Sequence, residues 1–189
     1  MTDRRLRTVV ADTSGLVSLA VPRADDAVGT DLPDPLRIFL TSCDVTVPRE
    51  VVTELRDIAE YRDIHAAAAS NVLDAREHYA VEDPYERDET PDSRPAFGLD
   101  EGETDGVVLA NAVPVDGFLT DEFGGTNFPL IHAVLQGPRV VPTPRFVADY
   151  ARNGHMDLEV ARKLITAIGE HRSWENSPYV TRLLQQLAT

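Results

Sequence analysis

Short β-branched runs alternate with helical stretches along this chain, and that alternation is what most restricts its fold. Thr8 to Ala11, Val45 to Val47, Asp116 to Thr120 and Arg139 to Val141 read as strands, with helical patterning between them. Strands separated by helices pair in parallel through right-handed crossovers and need helices over the sheet faces. The expected fold is α/β, a three-layer α/β/α sandwich whose central parallel sheet has about four to five strands. With 189 residues, 42% of them hydrophobic, the chain can build one sizeable core but not two. A single domain follows, with its core at about 7–142 and a helical extension at about 143–189.

The helices have their own signals. Pro48 sits where a first turn tolerates proline, and Val51, Val52, Leu55, Ile58 and Ala59 then recur at spacings of three and four, which makes one buried stripe. A second helix is expected from about Tyr61 to Tyr79, another from Glu101 or Gly102, a short one from Leu36 to Leu40, and one near Leu130 to Leu135. Three more begin at about Pro144, Asp157 and Glu175. Arg23 to Pro35 and Glu82 to Pro95 are rich in charge and proline and read as loops; a further loop is expected at Gly124-Gly125.

Acidic residues recur where these elements end or begin. Asp12 follows the first strand directly, so its carboxylate should emerge at the carboxyl edge of the sheet, where open α/β folds hold their ligands. Taken alone, it reads equally well as a helix N-cap. Glu54 lies one turn into its helix and, taken alone, is a solvated acid favoured by the helix dipole. Glu103 and Asp105 are two residues apart at a helix start, so they point in different directions and at most one should line a common site. Asp121 and Glu122 follow the strand Asp116 to Thr120 as Asp12 follows its own. Carboxylates gathered without a counterion repel by roughly 4 kcal/mol per close pair at an effective dielectric near 20. Such a cluster calls for a hard divalent cation.

The formal charge is −14, and of 18 basic residues only Lys163 is a lysine. This balance resembles that of proteins from salt-loving archaea, whose dense carboxylate surfaces are screened by molar salt. It predicts that the fold loses stability as salt is removed, which melts in low and molar potassium chloride would test. At high salt the long-range repulsion of a polyanion is nearly gone, so the charge argues only weakly against nucleic acid. Cys43 is the only cysteine, which excludes an intrachain disulfide and a cysteine-based zinc site. A cytoplasmic location is expected, because the run after Arg7 ends in Asp12 rather than in a signal-peptide core, and no apolar stretch is long enough to span a membrane. The five histidines are dispersed, with no ligand spacing. Trp174 is expected in the core.

Four segments in order carry a resemblance: Val9-Val10-Ala11-Asp12-Thr13-Ser14-Gly15-Leu16, Val51-Val52-Thr53-Glu54-Leu55, Gly102-Glu103-Thr104-Asp105-Gly106, and Leu119-Thr120-Asp121-Glu122. Together they resemble the PIN-domain ribonuclease family over about Thr8 to Val141. The resemblance implies a flavodoxin-like parallel sheet and an acidic pocket that binds magnesium or manganese for endonucleolytic cleavage of single-stranded RNA. Carried over by position, Asp12, Glu54, Asp105 and Asp121 would be the catalytic, metal-binding acids. Glu103 would be an auxiliary metal ligand, and the fourth acid falls on Asp121 or Glu122. Thr13, Ser14 and Thr120 resemble the hydroxyl residues that orient the acids. The segment Phe123 to Asn127 lacks the basic residue often found there in the family. The implied protein is a toxin-like enzyme with an antitoxin partner or a standalone RNA-processing nuclease, with a homodimer also open. The alternative is a non-catalytic PIN-like module that binds RNA or a protein. A phosphate-signalling domain is a third reading, and it lacks a well-placed lysine.

Overall fold

The structure, a computed structural model, describes residues 6–28, 31–123 and 126–188. The loop expected at Gly124-Gly125 lies outside them, as do two residues of the loop expected from Arg23 to Pro35. Strand β1 (Thr8–Ala11) leads through Asp12 into α1 (Thr13–Ala24), and α2 (Pro35–Ser42) leads into β2 (Asp44–Pro48). Two helices follow, α3 (Arg49–Ala59) and α4 (Ile64–Asp74), then a short strand β3 (Ala80–Glu82). Next come α5 (Glu101–Ala112), β4 (Gly117–Leu119), α6 (Asn127–Val134) and β5 (Arg139–Val141), and the chain closes with α7 (Thr143–Arg152), α8 (Leu158–Arg172) and α9 (Pro178–Gln186).

The five strands form one all-parallel sheet in the order β3-β2-β1-β4-β5. Val9 pairs with Val45 on one side and Gly117 on the other, and Phe118 pairs with Val140. Side chains alternate across this sheet, as the two-residue period of a strand requires. Val9, Ala11, Val45, Val47, Leu119 and Val141 enter the larger core with residues of α1 to α4 and α7 to α9. Val10 and Phe118 point the other way, into a smaller core with Val107, Leu109 and Ala110 of α5 and Ile131 of α6. The layers are those expected. The strand order is 3-2-1-4-5 rather than the 2-1-3-4-5 of flavodoxin, and it reverses direction between β1 and β4. That reversal opens a crevice at the carboxyl ends of these two strands, directly after Ala11 and Leu119.

Strand β3 falls within the segment expected to be helix and loop. The expected helix from Tyr61 to Tyr79 is shorter: Asp63 caps α4 by accepting a hydrogen bond from the Ala66 N–H (2.9 Å), and the helix ends at Asp74. Tyr79 then turns inward, 5% exposed, with its hydroxyl donating to the Val72 carbonyl. Only Val81 of the three residues of β3 is β-branched, whereas the equally short edge strand β5 carries Val140 and Val141, so nothing marks β3 in the sequence. The helices after β5 are part of the main core, since Ala161, Leu164, Ile165 and Ile168 of α8 are fully buried in it. Trp174 is buried, as expected, and so is Cys43. Among the described residues no helix is long and apolar enough to cross a membrane.

Candidate carboxylate site

The crevice at the sheet reversal is a cavity of about 510 Å3 lined by Asp12, Thr13, Ser14, Glu54, Asp57, Asp100, Glu103 and Glu122, with Tyr61, His65 and Arg172 at its sides. Asp12 occupies the turn from β1 to α1, at the carboxyl edge of the sheet. Its Oδ1 accepts the Gly15 N–H at 3.0 Å, which makes it the cap of α1, and the same residue faces the cavity. Ser14 fixes it further. The Ser14 hydroxyl donates to Asp12 Oδ1 (2.9 Å) and accepts from the Asp121 N–H (2.9 Å), tying the ends of β1 and β4 together. Asp12 is 3% exposed, and this burial raises its carboxyl to about 7 despite hydrogen bonds from Thr120, Gly15 and Ser14 that favour the charged form.

Glu54 reaches the cavity from the first turns of α3. It accepts a hydrogen bond from the Thr13 hydroxyl, and burial raises its pKa. Its carboxylate lies against the start of α5 at Gly102, where a Cβ would come within 2.4 Å of Oε1. The glycine before Glu103 is thus what lets α5 approach Glu54. Asp100 caps α5 in a reciprocal box with Glu103: the Glu103 N–H donates to Asp100 Oδ1 at 2.7 Å, and the Asp100 N–H donates to Glu103 Oε2 at 3.3 Å. Asn127 also donates to both oxygens of Glu103, at 3.1 and 2.9 Å. Burial raises the Glu103 pKa as well.

Asp105 is not among the residues that line this cavity. It accepts two hydrogen bonds from Arg94, at 2.8 and 2.9 Å, and one from the Tyr85 hydroxyl at 2.5 Å. Two residues along a helix span about 200°, so Glu103 and Asp105 face different ways, as the spacing predicts. Of the pair after β4, Glu122 lines the cavity, while Asp121 turns back into the protein. Asp121 Oδ1 accepts the N–H of Thr143 at the start of α7 (2.7 Å), and burial raises its carboxyl. Its Oδ2 is buried with no hydrogen-bond partner, because the Ser18 hydroxyl donates to the Ser14 carbonyl instead. Thr120 Oγ1 accepts from the Glu122 N–H (3.3 Å).

Sequence reasoning missed Asp57, Tyr61, Asp100, Asn127 and Arg172 at this site. Only Asp100 carried a signal, the Asp-x-x-Glu of a capping box; Arg172 comes from the last turn of α8, far along the chain. Its Nε is buried without a hydrogen-bond partner. His65 Nε2 lies 3.2 Å from the His171 carbonyl.

The donor set is hard oxygen, which fits a divalent cation in kind. Among the described residues, no three His, Cys, Asp or Glu side chains lie close enough together to hold one ion. The residues therefore name a ligand type and not a coordination geometry. Comparison with protein-family models, curated proteins and solved structures gave no match.

Proposed function

We propose that this chain is a metal-dependent endoribonuclease of the PIN-domain kind. One observation carries the reading: carboxylates from the start of α1 and from α3, α5 and the segment after β4 line a single cavity at the sheet reversal, and burial disfavours the charged form of three of them. Burying several acids around one space is costly unless a cation offsets them.

Asp12, Glu54, Glu103 and Glu122 are the residues that would hold magnesium or manganese, one or two of them as direct ligands and the others through bound water. A bound ion would acidify water and offset the charge that develops on a phosphodiester under attack. The remaining roles belong to the chain itself. Thr13 holds Glu54, Ser14 holds Asp12 against the end of β4, and Asp121 adds negative potential from behind. Arg172 offers a guanidinium to the phosphodiester. Tyr61, 70% exposed beside the cavity, offers a ring face to a nucleobase. Asp105 is assigned to the fold, where Arg94 and Tyr85 hold it.

The test is cleavage of single-stranded RNA by the folded protein in high salt. Manganese- or magnesium-dependent cutting that stops with chelator supports the enzyme. RNA bound but never cut, over several substrates, would instead support the non-catalytic module.

A further inference from the structure

A second cavity of about 510 Å3 lies beside the first, where the end of β5, the first turn of α7 and the start of α9 meet. Its walls include Arg139, Arg145 and Arg182 together with the rings of Phe123, Phe128 and Tyr179. The only acidic residue among the described lining residues is Asp149, which is held by Arg145 at 2.7 Å and by Arg152 at 3.5 Å. Three guanidiniums and three aromatic rings therefore line one groove of a chain of charge −14.

The rings are held in place as well. Phe123 packs against Trp174 and Tyr179, with centroids 5.5 and 5.2 Å away, and Phe128 meets His132 edge-on at 4.4 Å. Glu122 lines the carboxylate cavity and Phe123, the next residue, lines this one, so the two cavities adjoin at this segment of the chain.

We propose that this arginine–aromatic groove is the track for single-stranded RNA leading to the carboxylate cavity, its guanidiniums taking phosphates and its rings stacking bases. Arginine beside aromatic faces is the chemistry by which flexible single strands are bound without sequence readout. An acidic peptide would use the guanidiniums and leave the rings without a role. The proposal deepens the nuclease reading and rests on it for the choice of RNA as the strand.

Binding is separated from cutting by measuring it in chelator. Fluorescence anisotropy of a labelled short oligouridylate would be recorded with the full chain, at the lowest potassium chloride concentration where circular dichroism shows it folded. Arg139 and Arg182 are exposed, and their joint replacement, Arg139→Glu with Arg182→Glu, should weaken binding at least about tenfold. It should also flatten the slope of log affinity against log salt by about 1.4, at about 0.7 for each phosphate no longer neutralised. Phe128→Ala should weaken binding about fivefold or more with the slope unchanged, as expected for a stacking interaction. Affinities within about twofold of wild type in both variants would overturn the proposal, as would polyglutamate binding as tightly as the RNA. If manganese-dependent cutting occurs while these variants bind normally, the groove fails and the nuclease stands. If the variants lose binding and no condition yields cutting, the groove stands and the nuclease fails.

Discussion

Asp12 and Asp105 are both buried aspartates, 3% and 4% exposed, yet their surroundings are opposite. Asp105 meets a bidentate guanidinium and a phenol, and the same Arg94 reaches Glu101 at 2.6 Å and Glu50 at 3.4 Å, clamping the loop before α5 onto α3 and α5. Asp12 meets hydroxyls and a backbone N–H, none of them charged, and shares its surroundings with Asp121. A carboxylate with a full set of cationic partners contributes to the fold. One left without a cation destabilises the empty protein, which is the usual mark of a functional position. The contrast sets an acid held by a guanidinium apart from one that faces the cavity with no cationic partner, where sequence had treated the two alike.

The largest expected effect is on activity. Asp12→Asn should reduce manganese-dependent RNA cleavage by about a thousandfold or more, since it removes a charge on which ion binding depends. The fold should survive, because asparagine caps a helix as well as aspartate does. Cleavage time courses alongside thermal melts would check both halves.

A stability effect of similar size follows from pH. The Asp12 carboxyl titrates near 7 in the folded protein against an ordinary value of 3.8. The folded state therefore holds a proton that the unfolded chain releases, and stability is lost as pH rises from about 4 through about 7, by about 4 kcal/mol in all. Glu54, Glu103 and Asp121 shift in the same direction. Urea unfolding of the ion-free protein across this range should show the loss, and Asp12→Asn should remove the share of about 4 kcal/mol that belongs to Asp12.

Breaking the other member of the comparison should cost somewhat less. Arg94→Ala leaves Asp105 buried beside Tyr85 with no cation. Because the Arg94 side chain is 33% exposed, the cost should be about 2–3 kcal/mol rather than the full penalty for a buried pair. Equilibrium unfolding would measure it, and no change would mean that Asp105 does not need its partner.

The smallest effect is the most local. In Gly102→Ala the new methyl group meets the Glu54 carboxylate, the free end of a flexible side chain that can swing aside. Stability should change by less than about 1 kcal/mol, while ion affinity falls about tenfold as Glu54 leaves its place.

The layers of the fold were legible because β1, β2, β4 and β5 each carry a short β-branched or apolar run next to helical spacing. Edge strand β3 was not, because Val81 is its only β-branched residue. At the site, Asp12 and Glu54 could be named from the elements they adjoin. The choices between Glu103 and Asp105, and between Asp121 and Glu122, could not be made from position. They depend on helix phase and on a turn: Arg94 arrives from a loop to take Asp105, and the N-terminus of α7 takes Asp121. Neither partner lies within a segment that marked the motif: Arg94 is 11 residues before Asp105 and Thr143 is 22 after Asp121. Arg172 was illegible for the same reason, reaching the cavity only because α8 packs into the main core.

The most direct test of the central claim is calorimetric titration of manganese into the full chain, into Asp12→Asn and into Asp105→Asn, in molar potassium chloride above pH 7. The account predicts saturable binding by wild type and by Asp105→Asn, and none by Asp12→Asn. Binding that survives in Asp12→Asn but is lost in Asp105→Asn would contradict it.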